Sequence, residues 1–355
     1  MHKIDKTIDV LYCFDEDYEP YAATSIVSLL INSNEDNFIR LHLFCNLTEN
    51  LRSFLKSLKK KYKFFFKIYN LSNEDLDILK QFPNPVISVS KIAWTRIFAP
   101  KYIDNNIEKI IYLDSDTIIL KDITEMIDIS LGKNFLGAVL DYSNNKMSTY
   151  HKIKNYFNSG VLILNLKLLR RKNLIQELIN FILLNYKQLK LGDQCALNLF
   201  FKDQIKKIDN IYNKFIISNK SPQQNFNTTD KIIHFVTSAK PWKSYSLELY
   251  KNIFLEYSKL TTYNLKIQSP KNMYEDWQMA IHLSKYNDES KILNSIKIYE
   301  NILNYMFKTY PYDNNIMSFF ELYSNSKIYL ETNNLKKIDN YEYILSNIFK
   351  VNEEY

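Results

Sequence analysis

The sequence predicts an α/β fold, a mostly parallel central sheet flanked by helices and followed by a helical region. Three observations predict it. Short apolar runs alternate with helical periodicity from Ile8 onward, the pattern of strand and helix layering. One run, Ile110-Ile111-Tyr112-Leu113, is apolar at consecutive positions, as a strand buried on both faces requires, and ends abruptly in Asp114-Ser115-Asp116. From about residue 245 the chain turns to Lys-, Asn- and Tyr-rich stretches with apolar positions every three or four residues, consistent with paired amphipathic helices. The α/β domain is therefore placed at 1–245 and the helical region at 246–355.

In chain order, Ile8 to Phe14 reads as the first strand, followed by the polar loop Asp15-Glu16-Asp17, Tyr18, and a helix from Tyr21 to Leu30. No Gly-x-Gly-x-x-Gly follows this strand, which argues against a dinucleotide-binding turn. Strands are expected at 39–44 and 64–69, with a basic helix at 51–61 between them. Ile87 to Ala99 reads as a mostly apolar helix carrying Arg96, whose stem alone would serve to cover apolar surface. Phe135 to Leu140 is a strand ending in Asp141. Tyr156 to Leu166 reads as an Asn158-Ser159-Gly160 turn entering a strand, with Gly160 allowing close backbone approach. A helix near 174–189 leads to Gly192-Asp193-Gln194-Cys195, where Asp193 suits a helix cap as well as a site. The strand at 231–236 carries His234 and precedes Lys240-Pro241-Trp242.

At 355 residues, 46% hydrophobic and 15% aromatic, the chain can bury a full core. Its formal charge of +7 comes from scattered lysines, so it carries no nucleic-acid signature, only a mild attraction to anionic or phosphorylated partners. Three widely spaced cysteines without a Cys-x-x-Cys pair favour a reduced compartment over a thiolate zinc site. With no apolar leader and no long apolar run, the expected location is cytoplasmic.

In open α/β sheets, ligands lie beyond the carboxyl ends of the strands. Both Asp15-Glu16-Asp17 and Asp114-Ser115-Asp116 are expected there. In an extended chain, residues i and i+2 project to one side, so Asp114 and Asp116 would face a common cation. Hard oxygen ligands with room for phosphate suit Mn2+ or Mg2+ held together with a nucleotide, and the imidazole of His234 would complete the set. The spacing alone equally fits a strand running into an acidic turn, and a structural histidine.

Taken together, Phe14-Asp15-Glu16-Asp17-Tyr18, Arg96, Leu113-Asp114-Ser115-Asp116, Phe157-Asn158-Ser159-Gly160-Val161, Gly192-Asp193-Gln194, and His234 with Lys240-Pro241-Trp242 resemble, in order, the family 8 glycosyltransferases. The resemblance implies a GT-A fold using a UDP-sugar and Mn2+, with Mg2+ as the other candidate, and retention at the anomeric carbon. It implies that Asp15 and Asp17 contact uridine and that Tyr18 packs on the uracil. Asp114, Asp116 and His234 would hold the metal, with Asp114 also near the nucleotide and Lys240 on the β-phosphate. Arg96, Asn158, Ser159, Asp193 and Gln194 would line the donor sugar, with Gln194 and Asp193 as the catalytic pair and Asp141 toward the acceptor. The acceptor would be a glycan or glycolipid, such as lipopolysaccharide or another surface glycan. Three positions depart from the pattern: Cys195, read as a small helix filler, Thr237, where glycine is common, and Asp17, where Asn is frequent.

Two other readings share these features. A nucleotidyltransferase would need a glycine-rich basic loop after the first strand, where this chain has Phe14-Asp15-Glu16-Asp17. A non-catalytic carbohydrate-binding protein would have no need of both acids, His234 and Lys240. In the last third, aromatics and lysines interleave, as in Tyr305-Met306-Phe307-Lys308-Thr309-Tyr310. That suits either a self-packed helical appendage or peripheral contact with an anionic membrane.

Overall fold

The computed structural model describes residues 6–83, 90–171, 173–217, 227–236, 240–246, 248–284 and 288–309. Thr237 and Tyr310 lie outside the described residues. The strands are β1 Thr7–Cys13, β2 Phe38–Phe44, β3 Phe64–Tyr69, β4 Lys109–Leu113, β5 Thr117–Ile119, β6 Leu136–Leu140, β7 Phe157–Asn165, β8 Ile205–Lys207, β9 Lys214–Ile216 and β10 Ile232–Phe235. The helices are α1 Glu19–Asn32, α2 Glu49–Leu58, α3 Asn73–Gln81, α4 Ala99–Tyr102, α5 Asn144–His151, α6 Leu166–Leu169, α7 Leu174–Asn185, α8 Asp193–Phe201, α9 Glu248–Ser258, α10 Met273–Ser284 and α11 Glu289–Thr309.

Seven strands form the main sheet in the order β3-β2-β1-β4-β7-β6-β8. The pairs β3/β2, β2/β1, β1/β4 and β6/β8 are parallel, and only β7 runs against its neighbours. Because side chains alternate along a strand, the apolar runs feed two cores. Ile8, Val10 and Tyr12 of β1 join Ile111 and Leu113 of β4 in one cluster, while Leu11 and Cys13 join Ile110 and Tyr112 in the other. That double burial is why these strands read as continuous apolar runs. Helix starts are fixed locally: Thr48 accepts from Leu51 N–H at α2 and Ser72 from Asp75 N–H at α3.

A smaller sheet, β5-β10-β9, begins directly after the Asp114-Ser115-Asp116 turn. Helix α1 holds β5 through hydroxyls: Ser28 Oγ accepts from Ile119 N–H at 2.9 Å, and Ser25 Oγ lies 2.9 Å from Thr117 Oγ1. Thr117 Oγ1 donates in turn to Asp114 O at 2.8 Å, which closes the turn.

The chain divides into two compact units, Met1–Lys240 with Asn252–Leu265, and Pro241–Lys251 with Lys266–Tyr355. In the second, α10 packs on α11 through Trp277 and Tyr299, ring centroids 5.1 Å apart, and Lys243 Nζ meets Glu275 Oε1 at 2.8 Å. Among the described residues no helix is long and apolar enough to cross a membrane.

Candidate active site

A cleft of about 270 Å³ opens at the carboxyl ends of β1 and β4, lined among others by Tyr18, Arg96, Asp114, Asp116, Asp141, Asn158, Ser159, Asp193, Gln194, His234 and Lys240. Eleven of the thirteen residues singled out in the sequence therefore meet in one place. Asp15 and Asp17 are not part of that lining. Asp15 is spent as the cap of the short 3-10 turn Glu16–Tyr18, accepting from Tyr18 N–H at 3.1 Å, and Asp17 is exposed.

At the floor, Asp114, Asp116 and His234 each offer one ligand atom, all within 4.8 Å of one another. Their convergence does not come from extended alternation, because Ser115 and Asp116 lie in a turn. The turn reverses the chain into β5, whose antiparallel partner β10 delivers His234 opposite Thr117. His234 Nε2 lies 3.2 Å from Asp116 Oδ1 and 3.7 Å from Asp114 Oδ2. Asp116 Oδ1 is buried and makes no hydrogen bond. Its other oxygen, Oδ2, is 2.5 Å from Lys240 Nζ. Burial works against the Asp116 charge, but the Lys240 ammonium on its other oxygen holds its carboxyl below the usual range. An ionised buried carboxylate with an orphaned oxygen, a second carboxylate and an imidazole fit a divalent cation.

Gly160 makes this packing sterically possible. A Cβ there would lie 2.1 Å from His234 Cε1 and 2.7 Å from Asp114 Oδ2, so only glycine lets both side chains approach. It sits inside strand β7 and not in a turn: the whole Asn158-Ser159-Gly160 stretch is strand, and Gly160 O accepts from Asp114 N–H at 2.8 Å. The polar residues resembled a turn because this end of β7 faces the cleft.

Arg96 is fully committed inside the protein, which corrects the reading of a stem covering surface. It lies on the 3-10 helix Lys91–Phe98, started by Ser90, and is buried. Its Nη1 donates to Ser159 O at 2.6 Å and Nη2 to Asp114 Oδ1 at 3.1 Å; Nε lies 3.3 Å from Asp193 Oδ2, and the guanidinium stacks 3.9 Å from the Tyr112 ring centroid. Desolvation disfavours its charge, yet Asp193, Tyr112 and Asp114 raise its pKa further. Asp193 is likewise not a helix cap. Gly192, with φ of 56°, is the cap residue of α8, and Asp193 is the first helical residue, buried with its carboxylate 3.3 Å from Arg96 Nε. Burial pushes its carboxyl up, with Arg96 opposing.

The far wall is a network of amides. Gln194 Oε1 accepts from Ser159 N–H and Asn158 Nδ2, both at 3.1 Å, while its Nε2 reaches Asp141 Oδ2 at 3.3 Å. Asn158 Nδ2 also donates to Asp141 Oδ2 at 3.1 Å. Sequence reasoning missed Asn213, whose carboxamide joins Asn158 to His234. Nothing in a lone Asn after Tyr212 marks it. Cys195 is more than filler: its buried Sγ lies 3.1 Å from Tyr156 OH and accepts from Leu191 N–H at 3.3 Å. Burial raises its pKa, so it is a neutral thiol and an unsuitable nucleophile.

The sequence pattern of glycosyl transferase family 8 matches residues 9–246, about two thirds of the chain. Among curated proteins, General stress protein A of Bacillus subtilis is 26% identical over 280 residues, covering 73% of this chain and 96% of that protein. The lipopolysaccharide 1,2-glucosyltransferase of Escherichia coli is 27% identical over 277 residues, covering 71% of this chain and 80% of that enzyme. Against the longer Streptococcus pneumoniae glycosyltransferase GlyE, 28% identical over 185 residues, the match covers 49% of this chain and only 43% of the relative. The fold is shared with the galactosyltransferase LgtC solved with donor and acceptor sugar analogs, at a TM-score of 0.62 and 22% identity over 72% of this chain and 97% of that one. The mostly parallel GT-A sheet expected from the sequence is thus the fold observed, and the chain belongs to glycosyl transferase family 8.

Proposed function

We propose that this glycosyltransferase moves a hexose, galactose or glucose, from a UDP-sugar to a glycan acceptor with retention at the anomeric carbon, using Mn2+ or, as the alternative, Mg2+. The observation that carries the reading is the orphaned Asp116 Oδ1 facing His234 and Asp114 in the cleft that also holds Lys240 and the Gln194 network.

In this reading Asp114, Asp116 and His234 hold the cation, which when bound neutralises charge developing on the departing diphosphate. Lys240, fixed on Asp116 and on Phe235 O, adds a second positive charge for the β-phosphate. Tyr18 supplies a ring for the uracil, and the loop that carries it, with Asp15 and Asp17 just outside the cleft lining, is assigned to the uridine. Arg96 anchors Asp193 and Asp114 so that the donor-sugar wall and the metal wall keep one spacing. Gln194, held through both ends of its amide, presents no carboxylate at the anomeric carbon, and Asp193 is engaged by Arg96. Attack is therefore assigned to the acceptor hydroxyl on the face the diphosphate leaves. The bond from the anomeric carbon to the phosphate oxygen breaks, the bond to the acceptor oxygen forms, and the hydroxyl proton passes to the phosphate. Asp141, at the other end of the Gln194 amide, faces the acceptor side. A lipid-linked glycan would suit a chain whose helical region touches an anionic membrane.

The test is a screen of UDP-sugars for Mn2+-dependent hydrolysis, with the released sugar's first-formed anomer read by NMR. Release of the donor's own anomer from UDP-galactose or UDP-glucose supports the proposal. An inverted anomer, or release of pyrophosphate from a nucleoside triphosphate plus sugar phosphate, would overturn it.

A further inference from the structure

Asn213 is buried, follows the short turn Asn210–Tyr212 and immediately precedes β9. Its Nδ2 lies 2.9 Å from Asn158 Oδ1 and its Oδ1 3.0 Å from His234 Nδ1. Which end of each amide is oxygen follows from groups that have no choice. Gly160 N–H can only donate, so the Asn158 atom 2.9 Å from it is the carbonyl oxygen. The other end of Asn158 is then NH2, as its contact with the Asp141 carboxylate requires. An oxygen on Asn158 in turn demands the NH2 of Asn213, which leaves the Asn213 oxygen toward His234. That oxygen needs an N–H, so His234 carries hydrogen on Nδ1. In the neutral ring the lone pair is then on Nε2, the nitrogen facing Asp114 and Asp116. Gly160 packs against the ring at Cε1 and limits its swing from one side.

We infer that Asn213 is a positioning residue: it fixes the tautomer and orientation of His234 for a divalent cation, and through Asn158 it ties that cation site to Asp141 and Gln194 across the cleft. The inference rests on the metal reading above. A partner that orients a ligating histidine through its second nitrogen typically governs metal affinity by 10- to 100-fold.

The test is calorimetric titration of Mn2+ alone into the full chain, comparing wild type, Asn213→Ala, His234→Ala and the double variant, with thermal melts as the folding control. Asn213→Ala is expected to weaken Mn2+ binding by about 10-fold or more, and the same change in the His234→Ala background to cost no more than about twofold. Equal losses in both backgrounds would make Asn213 merely structural and overturn the inference. Normal binding by Asn213→Ala would overturn it alone, whereas a wild-type chain that takes up no Mn2+ would overturn the metal reading and this inference with it.

Discussion

At the scale of single residues, the cleft depends on positions where one atom more or less changes the geometry. Gly160 is the sharpest case, because an added Cβ would overlap His234. Gly160→Ala is expected to displace the ring, lowering stability by about 1–3 kcal/mol as overpacked sites do, and to weaken Mn2+ binding at least about tenfold. A variant that melts lower but binds Mn2+ normally would show that His234 is not a ligand. Gln194 tests the other wall. Its amide bonds to Ser159, Asn158 and Asp141, while Lys240 bonds to Asp116, so Gln194→Ala is expected to lower kcat for donor hydrolysis far more than UDP affinity. Equal losses in both would place it against the nucleotide.

At the scale of elements, parallel strands are locked by polar pairs as well as by apolar faces. Asp9 of β1 stands in register with Arg40 of β2, which it binds through both carboxylate oxygens at 2.7 Å, and it also meets His42 Nε2 at 2.8 Å. Burial opposes its charge, but the hydrogen bonds from His42 and Arg40 outweigh burial and lower its pKa. A carboxyl lowered in the folded state stabilises fully above its unfolded pKa of about 4 and loses that contribution as pH falls through the folded value. Asp9→Asn is therefore expected to cost about 2 kcal/mol at neutral pH, with the gap to wild type closing as pH drops below about 4. A gap unchanged down to pH 3 would mean that the charge contributes nothing. The strands themselves were legible because burial on both faces leaves an unbroken apolar run, as at Ile110 to Leu113. The acids after that run were legible because a polar pair has no business extending such a core. What the sequence hides is pairing across distance. Arg96 looks like any arginine on an apolar segment until Asp193 and Asp114 are brought to it, Asp193 looks like a cap because caps and buried acids share a residue type, and Asn213 has no local pattern at all.

At the scale of the molecule, residues after the composition change at 245 divide between the two units. Phe254 is fully buried in the sheet-bearing unit, with Tyr21 and Phe235 at ring-centroid distances of 6.4 and 6.1 Å, and Tyr263 OH donates to Glu19 at 2.6 Å. Helical periodicity announces an apolar face without saying which core receives it, so this division was not legible in the sequence. A chain ending at Tyr245 loses those contacts and is expected to melt about 10 °C below one ending at Leu265, since losing one buried aromatic costs about 3–5 kcal/mol. Equal melting would mean that residues 252–265 add nothing to that unit. The central claim is that Asp114, Asp116 and His234 form a cation site that serves a uridine diphosphate. The most direct measurement is calorimetric titration of UDP into the full chain with and without Mn2+, in wild type and Asp116→Asn. The account predicts that Mn2+ tightens UDP binding at least about tenfold in wild type and has no effect in the variant; UDP affinity indifferent to Mn2+ in wild type, or equally enhanced in both, would contradict it.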